Sequence, residues 1–546
     1  MSLTKVSYSM INGAPANVLD FGAKGDGTTN DRPAFVLALA TGKAISAPQP
    51  TSFYNIGTDL SITSPFDAGL YRVFGGAGVI TFAAGAVSEA YPEWWAANTT
   101  PGTTDMAAAI NAASFSVTGP TVTDAVSFTG VVKFQATKYR ANTTLTYHGA
   151  PWKGSGYRST MIEYWGTTVC LNAKGTSADR KIIDISNITF NGANVVAALT
   201  DGIWLAQNHR SQAGFYNVEF SFFTGWGVQE IEESYGLNCY GLLVKNNYQG
   251  GWNIANPLST ITTAHTFVGC LIENNGYAGS GKGGGFNSLG ANSATYSFYG
   301  CTFQSNPGIA EIYYSGGTML VDGSYFETDA TTLNSIYLNG VNATISNNTF
   351  YGSAAHAGSA VLATTPFSHV IVTGNLGRAG LFTDGTARSI NEATIQAGFN
   401  TLFTYTTDTT LGSVVSRTGR QAIGGWFQDN VAANQSNVIL QRSSAAPTAF
   451  SDVFLPVRNG FVTGMVVVLN ATITAGSLTV EVTKNGTAMG GALTSVITSG
   501  LGSIISLTDS LGVPFNTADN IRIRITTDAG FLPITVDMAV TLDITT

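Results

Sequence analysis

Ile185-Ser186-Asn187-Ile188-Thr189-Phe190 is the stretch that decides the fold, because it returns. Phe215–Phe220, Cys239–Val244, Phe267–Ile272, Phe298–Phe303, Val321–Phe326 and Ile345–Phe350 repeat its apolar offsets, and a degraded copy starts at Val372. The first residues step by 30, 24, 28, 31, 23, 24 and 27. A strand-like repeat of that length, without a helical period, predicts a solenoid. One repeat cannot bury its apolar face alone, whereas stacked neighbours can.

Working outward, a second ladder supports this reading. Gly202–Leu205, Gly251–Ile254, Glu311–Tyr314 and Ser335–Leu338 fall between copies of the first pattern. Each rung therefore has at least two period-2 strands separated by Gly- and Asn-rich turns, which predicts a parallel β-helix. Rungs then lie about 4.8 Å apart. Stacking puts Asn247, Asn275 and Asn306 in one turn column as an amide ladder, and Cys270 and Cys301 in one inward column. Trp204, Gln229, Asn253, Asn287, Tyr313 and Tyr337 form an outward stripe, polar and aromatic.

Composition agrees. The chain has 546 residues, 63 of them Gly, and only 11% are charged, which suits all-β architecture in several domains. A net charge of −8 argues against nucleic acid as a partner. Four cysteines form neither a disulfide framework nor a C-x-x-C pair, and no spacing calls for a metal or cofactor. No apolar run reaches membrane-span length, and the first twenty residues lack the apolar stretch of a secretory signal.

Near the amino end, Val18-Leu-Asp-Phe-Gly-Ala-Lys-Gly-Asp-Gly-Thr-Thr-Asn-Asp31 precedes a helix-like Pro33–Ala40. A weaker echo pairs Tyr91–Ala97 and Gly102–Asp105 with Met106–Ile110. This motif, led by Val6–Ile11, resembles the opening of the pectate-lyase superfamily of right-handed β-helices, and bacteriophage tailspikes in particular. Its glycines allow a tight turn, and Asp31 or Asp105 can cap the following helix. Asp26, Asp31 and Glu93 are read as structural. The resemblance implies a virion-borne protein that attacks a bacterial surface polysaccharide, capsule or O-antigen. It further implies a homotrimer, whose residues 1–20 either dock on the virion themselves, bind a tail adapter protein, or remain after trimming of a longer chain.

The repeat fades after about residue 380. Ser477–Thr483 alternates and ends at Asn485-Gly486, a hairpin signal. Ile521–Ile525 and Met538–Ile544 alternate as well, so 425–546 reads as an antiparallel β-sandwich, jelly-roll-like. The expected organisation is a capping segment at 1–45, a lead-in at 46–160, the β-helix body at 161–400, a connector at 401–424, and the sandwich.

Two chemistries compete on such a scaffold. Hydrolysis needs two carboxylates, about 5–5.5 Å apart for retention or about 6.5–9.5 Å for inversion. A lyase acting on a uronic acid needs a base and a cation. Residues 211–377 hold nine acids, no Arg, and only Lys245 and Lys282, which favours carboxylate hydrolysis. The paired Asp and Gly-His-Gly of polygalacturonases are absent, as is the Arg-rich pattern of pectate lyases. Aligned second strands put Ser221, Lys245, Glu273, Gln304, Glu327 and Tyr351 in one outward column. Glu273 and Glu327 are then two rungs apart, about 9.6 Å, with Asp329 and Glu311 as neighbours. Glu230-Ile231-Glu232-Glu233 is the densest acidic run, and Glu230 falls near an inward register that suits a general acid. Trp204, Trp226, Asn253, Tyr313 and Tyr337, with Gln304 and Lys245, are the expected sugar contacts, whereas Trp252 reads as core. A non-catalytic glycan-binding adhesin is the third possibility.

Overall fold

Asn and Gly recur between the first two strands of each rung because the backbone there must turn left-handed. Asn187, Asn217, Gly241, Gly269, Gly300, Gly323 and Asn347 all have φ between 52° and 60°. Only Gly and Asn enter this region at low cost. A second left-handed corner follows the second strand at Phe222, Asn246, Asn274 and Ser305.

The computed structural model describes residues 11, 13–122, 125–176, 180–193, 199–206, 214–232, 234–254, 264–276, 284–288, 295–328, 332–352, 360–363, 369–377, 382–384, 394–398, 415–417, 421–441, 454, 456, 459–490, 493–500, 503–534 and 536–545. The chain divides into two compact units. The first is a parallel β-helix with three faces. Asp184–Ser186, Gly214–Tyr216, Asn238–Tyr240, His265–Val268, Thr295–Tyr299 and Thr318–Asp322 lie on the first face. Thr189–Asn191, Glu219–Ser221, Leu243–Lys245, Leu271–Glu273, Thr302–Gln304 and Tyr325–Thr328 lie on the second. Asp201–Ala206, Trp226–Glu230, Gly250–Ile254, Phe286–Ser288, Gly308–Ser315 and Thr332–Asn339 lie on the third. Each strand pairs in parallel with its counterpart one rung on.

Like residues stack because the register repeats. Phe190 lies on Phe220 with ring centroids 5.0 Å apart, Phe303 on Phe326 at 5.1 Å, and Phe326 on Phe350 at 4.9 Å. These separations match the strand spacing, so the inward column of the second face becomes an apolar stack. The amide ladder forms as expected. Asn247 Nδ2 donates to Asn275 Oδ1 at 2.9 Å, and Asn275 Nδ2 to Asn306 Oδ1 at 3.0 Å. A second ladder joins Asn348 to Asn375 at 3.0 Å. It continues the column of Cys270 and Cys301: Ser324 Oγ accepts the Cys301 N–H, and Asn348 Oδ1 accepts the Ser324 N–H.

Both copies of the amino-terminal motif build the same device. A parallel bridge, Asn30 to Asn55 or Asp105 to Arg140, precedes a helix, Arg32–Leu39 or Ala107–Ser116. Asp31 does not cap its helix through its side chain. Its buried carboxylate instead accepts the N–H groups of Lys24, Gly25 and Asn55, tying the loop to the next strand. Asp105 Oδ1 accepts the N–H of Ala107, the first helical residue. Asp26 holds the Thr28 and Thr29 amides and hydroxyls, which keep its carboxyl below its ordinary value.

The second unit contains two antiparallel sheets. One holds Gln421–Val431, Val536–Thr545, Gly460–Leu469 and Ile504–Phe515. The other is built on Val438–Ile439, Ile521–Thr527, Ser477–Lys484 and Thr487–Ala488. Trp426, Met465, Val480, Ile523, Val540 and Leu542 belong to its buried core. Asn485 and Gly486, at φ 54° and 84°, make the expected hairpin turn.

Candidate functional site

Alternation on the second face decides which carboxylates reach its surface. Ile272, Phe303 and Phe326 point inward and are fully buried, so Glu273, Gln304 and Glu327 point outward. Register pairs Ser221 with Lys245, Lys245 with Glu273, Glu273 with Gln304, Gln304 with Glu327, and Glu327 with Tyr351. Lys245, Glu273, Gln304 and Glu327 are half-buried. Glu327 Oε2 accepts the Tyr325 hydroxyl at 3.2 Å, and Glu273 Oε1 accepts Asn274 Nδ2 at 3.1 Å. Each carboxylate keeps one oxygen outside these two bonds.

One rung below Lys245 lies a cluster that column arithmetic does not reveal. Glu219 is 3% exposed and meets Arg158 Nε at 3.2 Å and Lys245 Nζ at 3.7 Å. Burial, with the Glu219 carboxylate beside it, pushes the Tyr157 phenol up to about 12. Arg158 comes from the turn before Met161–Tyr164, where its φ is +60°. A count of cations over residues 211–377 misses it, because the fold carries it in from an earlier rung. The only sequence signal is its turn position two rungs before Glu219.

On the third face the outward stripe holds its register through Trp204, Gln229, Asn253, Asn287, Tyr313 and Tyr337. Tyr313 and Tyr337 stack at 4.9 Å and are half-buried. Lys174 Nζ sits 4.3 Å over the Trp204 ring. A hydrogen-bonded chain runs along the stripe: Asn287 donates to Asn253 at 2.6 Å, Asn253 to Gln229 at 3.4 Å, and Gln229 to Asp201 at 2.7 Å. Asp201 also accepts Trp204 Nε1 and the Trp226 N–H, each at 2.7 Å. Burial raises its carboxyl above its ordinary value against the pull of those donors. Sequence reading passed over Asp201, whose partners come from two rungs. It also passed over Tyr216 and Tyr240, stacked at 5.3 Å on the outward first face.

Several expected site residues lie elsewhere. Glu230 holds its inward register, and that encloses it. Its carboxylate accepts Trp252 Nε1 at 2.6 Å and the Tyr296 hydroxyl at 3.2 Å, and it meets His265 Nε2 at 3.2 Å, all buried in the β-helix interior. A glycan outside cannot reach it, so it is not a surface acid. Glu311 is fully buried and accepts the N–H and side-chain amide of Asn306, terminating the amide ladder. It serves the turn, not a groove. Trp226 is 4% exposed and lies over Gly250, where an added Cβ would fall 2.0 Å from its ring. It is packing, not a sugar platform, and Asn253 is likewise buried within the amide chain. Glu232 is exposed, away from the second-face column. Asp329 and Glu233 lie outside the described residues. Among the described residues no group of three or more His, Cys, Asp or Glu converges on a metal position.

No protein-family model and no curated protein matches the chain. Among solved structures, the chain is similar to the enzymatically active domain of tailspike protein 4 of bacteriophage CBA120 at 12% identity. That match covers 86% of this chain and 70% of the other, with a TM-score of 0.41. Tailspike gp49 of Pseudomonas phage LKA1 matches at 12% identity over 94% of this chain and 99% of the other, with a TM-score of 0.34. The A-module of the Azotobacter vinelandii mannuronan C-5 epimerase AlgE6 matches at 12% identity over 73% and 96%, with a TM-score of 0.32. At these values the parallel β-helix rests on the chain's own sheets, not on the likeness.

Proposed function

We propose that this chain is a phage tailspike that binds and depolymerises a bacterial surface polysaccharide by glycosidic hydrolysis, with Glu273 and Glu327 as the carboxylate pair. One observation carries the reading: both acids point outward from one face, in register two rungs apart, with the Gln304 amide between them. Two rungs are about 9.6 Å along the sheet, near the upper limit for an inverting pair. One carboxyl protonates the departing glycosidic oxygen while the other takes a proton from the attacking water. Lys245 and the Gln304 amide supply donors for sugar hydroxyls beside them. The amino-terminal motif supports the tailspike assignment, with residues 1–45 nearest the virion, trimeric assembly, and 425–546 as a trimerisation or glycan-contact module.

The test is a pair of variants, Glu273→Gln and Glu327→Gln, assayed on a cleaved glycan. Each should lose about 10²–10⁴-fold in rate while still binding. Full activity in both would remove the pair.

A second reading has its own observation. Tyr157, Arg158 and Lys245 gather around Glu219, giving the second face the phenol and cations that a uronate lyase uses. Under that reading Arg158→Ala and Tyr157→Phe abolish cleavage, and Glu327→Gln does not.

A further inference from the structure

A hollow of about 430 Å³ lies between the helix Ala107–Ser116 and the strands Phe74–Gly75 and Ile80–Phe82. It exists because its lining lacks bulk. Ala108, Ala112 and Phe115 share one helix face, and the first two carry only a methyl group. Gly75, Gly76 and Gly78 line it from the strand side. Gly75 has no room for a side chain, since an added Cβ would fall 2.3 Å from the Phe53 ring and 3.0 Å from Arg72 Nη2. Half-buried Trp95 and exposed Phe115 add aromatic walls. Arg72 is the one cation in the lining. Its guanidinium lies 3.8 Å over the Phe53 ring, and its Nε donates to the Phe74 carbonyl at 3.4 Å. These contacts fix its plane. Its two terminal nitrogens meet no acceptor among the described residues and are not enclosed. No carboxylate offsets the charge, and burial alone holds the guanidinium below its ordinary value. Asp105 is the one acid in the lining. Its Oδ1 accepts the N–H groups of Ala107 and Asn142, each at 3.1 Å, and its Oδ2 stays outside both bonds.

Small-molecule sites are mostly apolar hollows of about 300–1,000 Å³ with a few polar groups that orient the ligand. Each polar group here selects a different part of one. A guanidinium without a counter-ion selects a carboxylate or a phosphate, through paired N–H donors. The free oxygen of Asp105 selects a hydroxyl donor. Aromatic walls select a C–H face. A sugar that bears a carboxylate has all three features, whereas a bare inorganic anion has only the first. We propose that this hollow binds an acidic sugar residue, with its carboxylate on the Arg72 terminal nitrogens, a hydroxyl on Asp105 and its ring against Trp95 and Phe115. The inference rests on the reading of the ligand as a bacterial polysaccharide, and it adds that the polymer contains a uronate. It holds for hydrolysis and for elimination alike. Asp105 pairs with Arg140, and Glu273 lies five rungs farther along that column, about 24 Å away. The hollow is therefore an anchor separate from the cleavage column.

The full chain is titrated with the methyl glycosides of glucuronic and galacturonic acid, beside those of glucose and galactose, and binding is read by ligand-observed NMR. Saturable binding of at least one uronide, roughly tenfold tighter than its neutral counterpart, is the expected result. Arg72→Gln removes that preference. Ala108→Phe, at an exposed helix position, fills the hollow and abolishes binding without touching Arg72. Glu273→Gln binds the uronide as the wild type does, so a failure of the proposed hydrolysis leaves this result standing, and the reverse. Equal binding of uronides and neutral sugars overturns the proposal. Uronide binding unchanged in both Arg72→Gln and Ala108→Phe overturns it as well, and so does tighter binding of inorganic phosphate than of either uronide.

Discussion

Asp201 shows how one carboxylate organises a surface. Three donors converge on it from Trp204, Trp226 and Gln229. Asp201→Asn replaces an acceptor with a donor facing those N–H groups, so Trp204 and Gln229 lose their fixed orientation. Weaker retention of oligosaccharide, with Glu273 chemistry intact, is expected in a binding assay. The carboxyl also gives a pH signature. Burial raises it above its ordinary value, so over the window between that value and the raised one the folded chain holds a proton the unfolded chain has released. Stability contributed there falls as pH rises. The wild-type urea midpoint should therefore fall more steeply with pH over that window than the Asp201→Asn midpoint; parallel curves would contradict this. Asp184, raised by burial as well, is common to both proteins and cancels in the difference.

At the scale of the element, corners and ladders set the cost of change. Gly300 has φ 57° and nothing within 4 Å of an added Cβ, so a substitution there meets only the backbone penalty. Gly300→Ala should cost roughly 1–2 kcal/mol, and Gly300→Asn clearly less; thermal melts of the two variants decide. Asn275 Oδ1 accepts both the backbone and side-chain N–H of Asn247. Asn275→Ala leaves these buried donors unpaired at about 1–3 kcal/mol each, a larger drop than Gly300→Ala in the same assay. Columns were legible in the sequence because the repeat fixes parity and the left-handed corners fix phase; Glu273, Gln304 and Glu327 fell into place for that reason. Burial at positions of outward parity was not legible. Glu311 shares the outward parity of Tyr313, yet its carboxylate turns to the Asn306 amide. Asn253 and Asn287 lie in an outward column and are nonetheless buried. Arg158 was missed because a turn two rungs away, and not a strand position, delivers it to Glu219.

At the scale of the whole molecule, the proposed function needs a surface on which a polymer lies across successive rungs, and the in-register columns of the β-helix unit offer one. Polar and aromatic columns run along it with the rung spacing, and on the proposed reading they meet a repeating glycan. If the chain works as a trimer, sedimentation equilibrium of the full protein should return three times its 57.0 kDa mass; a monomer at micromolar concentration would contradict that. The most direct measurement is mass spectrometry of the products formed from a panel of bacterial capsules and O-antigens. Hydrolysis on the second face predicts saturated repeat-unit oligomers from at least one glycan, absent with Glu273→Gln. Products lighter by one water and absorbing in the ultraviolet would contradict it and move the chemistry to Tyr157, Arg158 and Lys245. Binding without any shortening would contradict catalysis altogether.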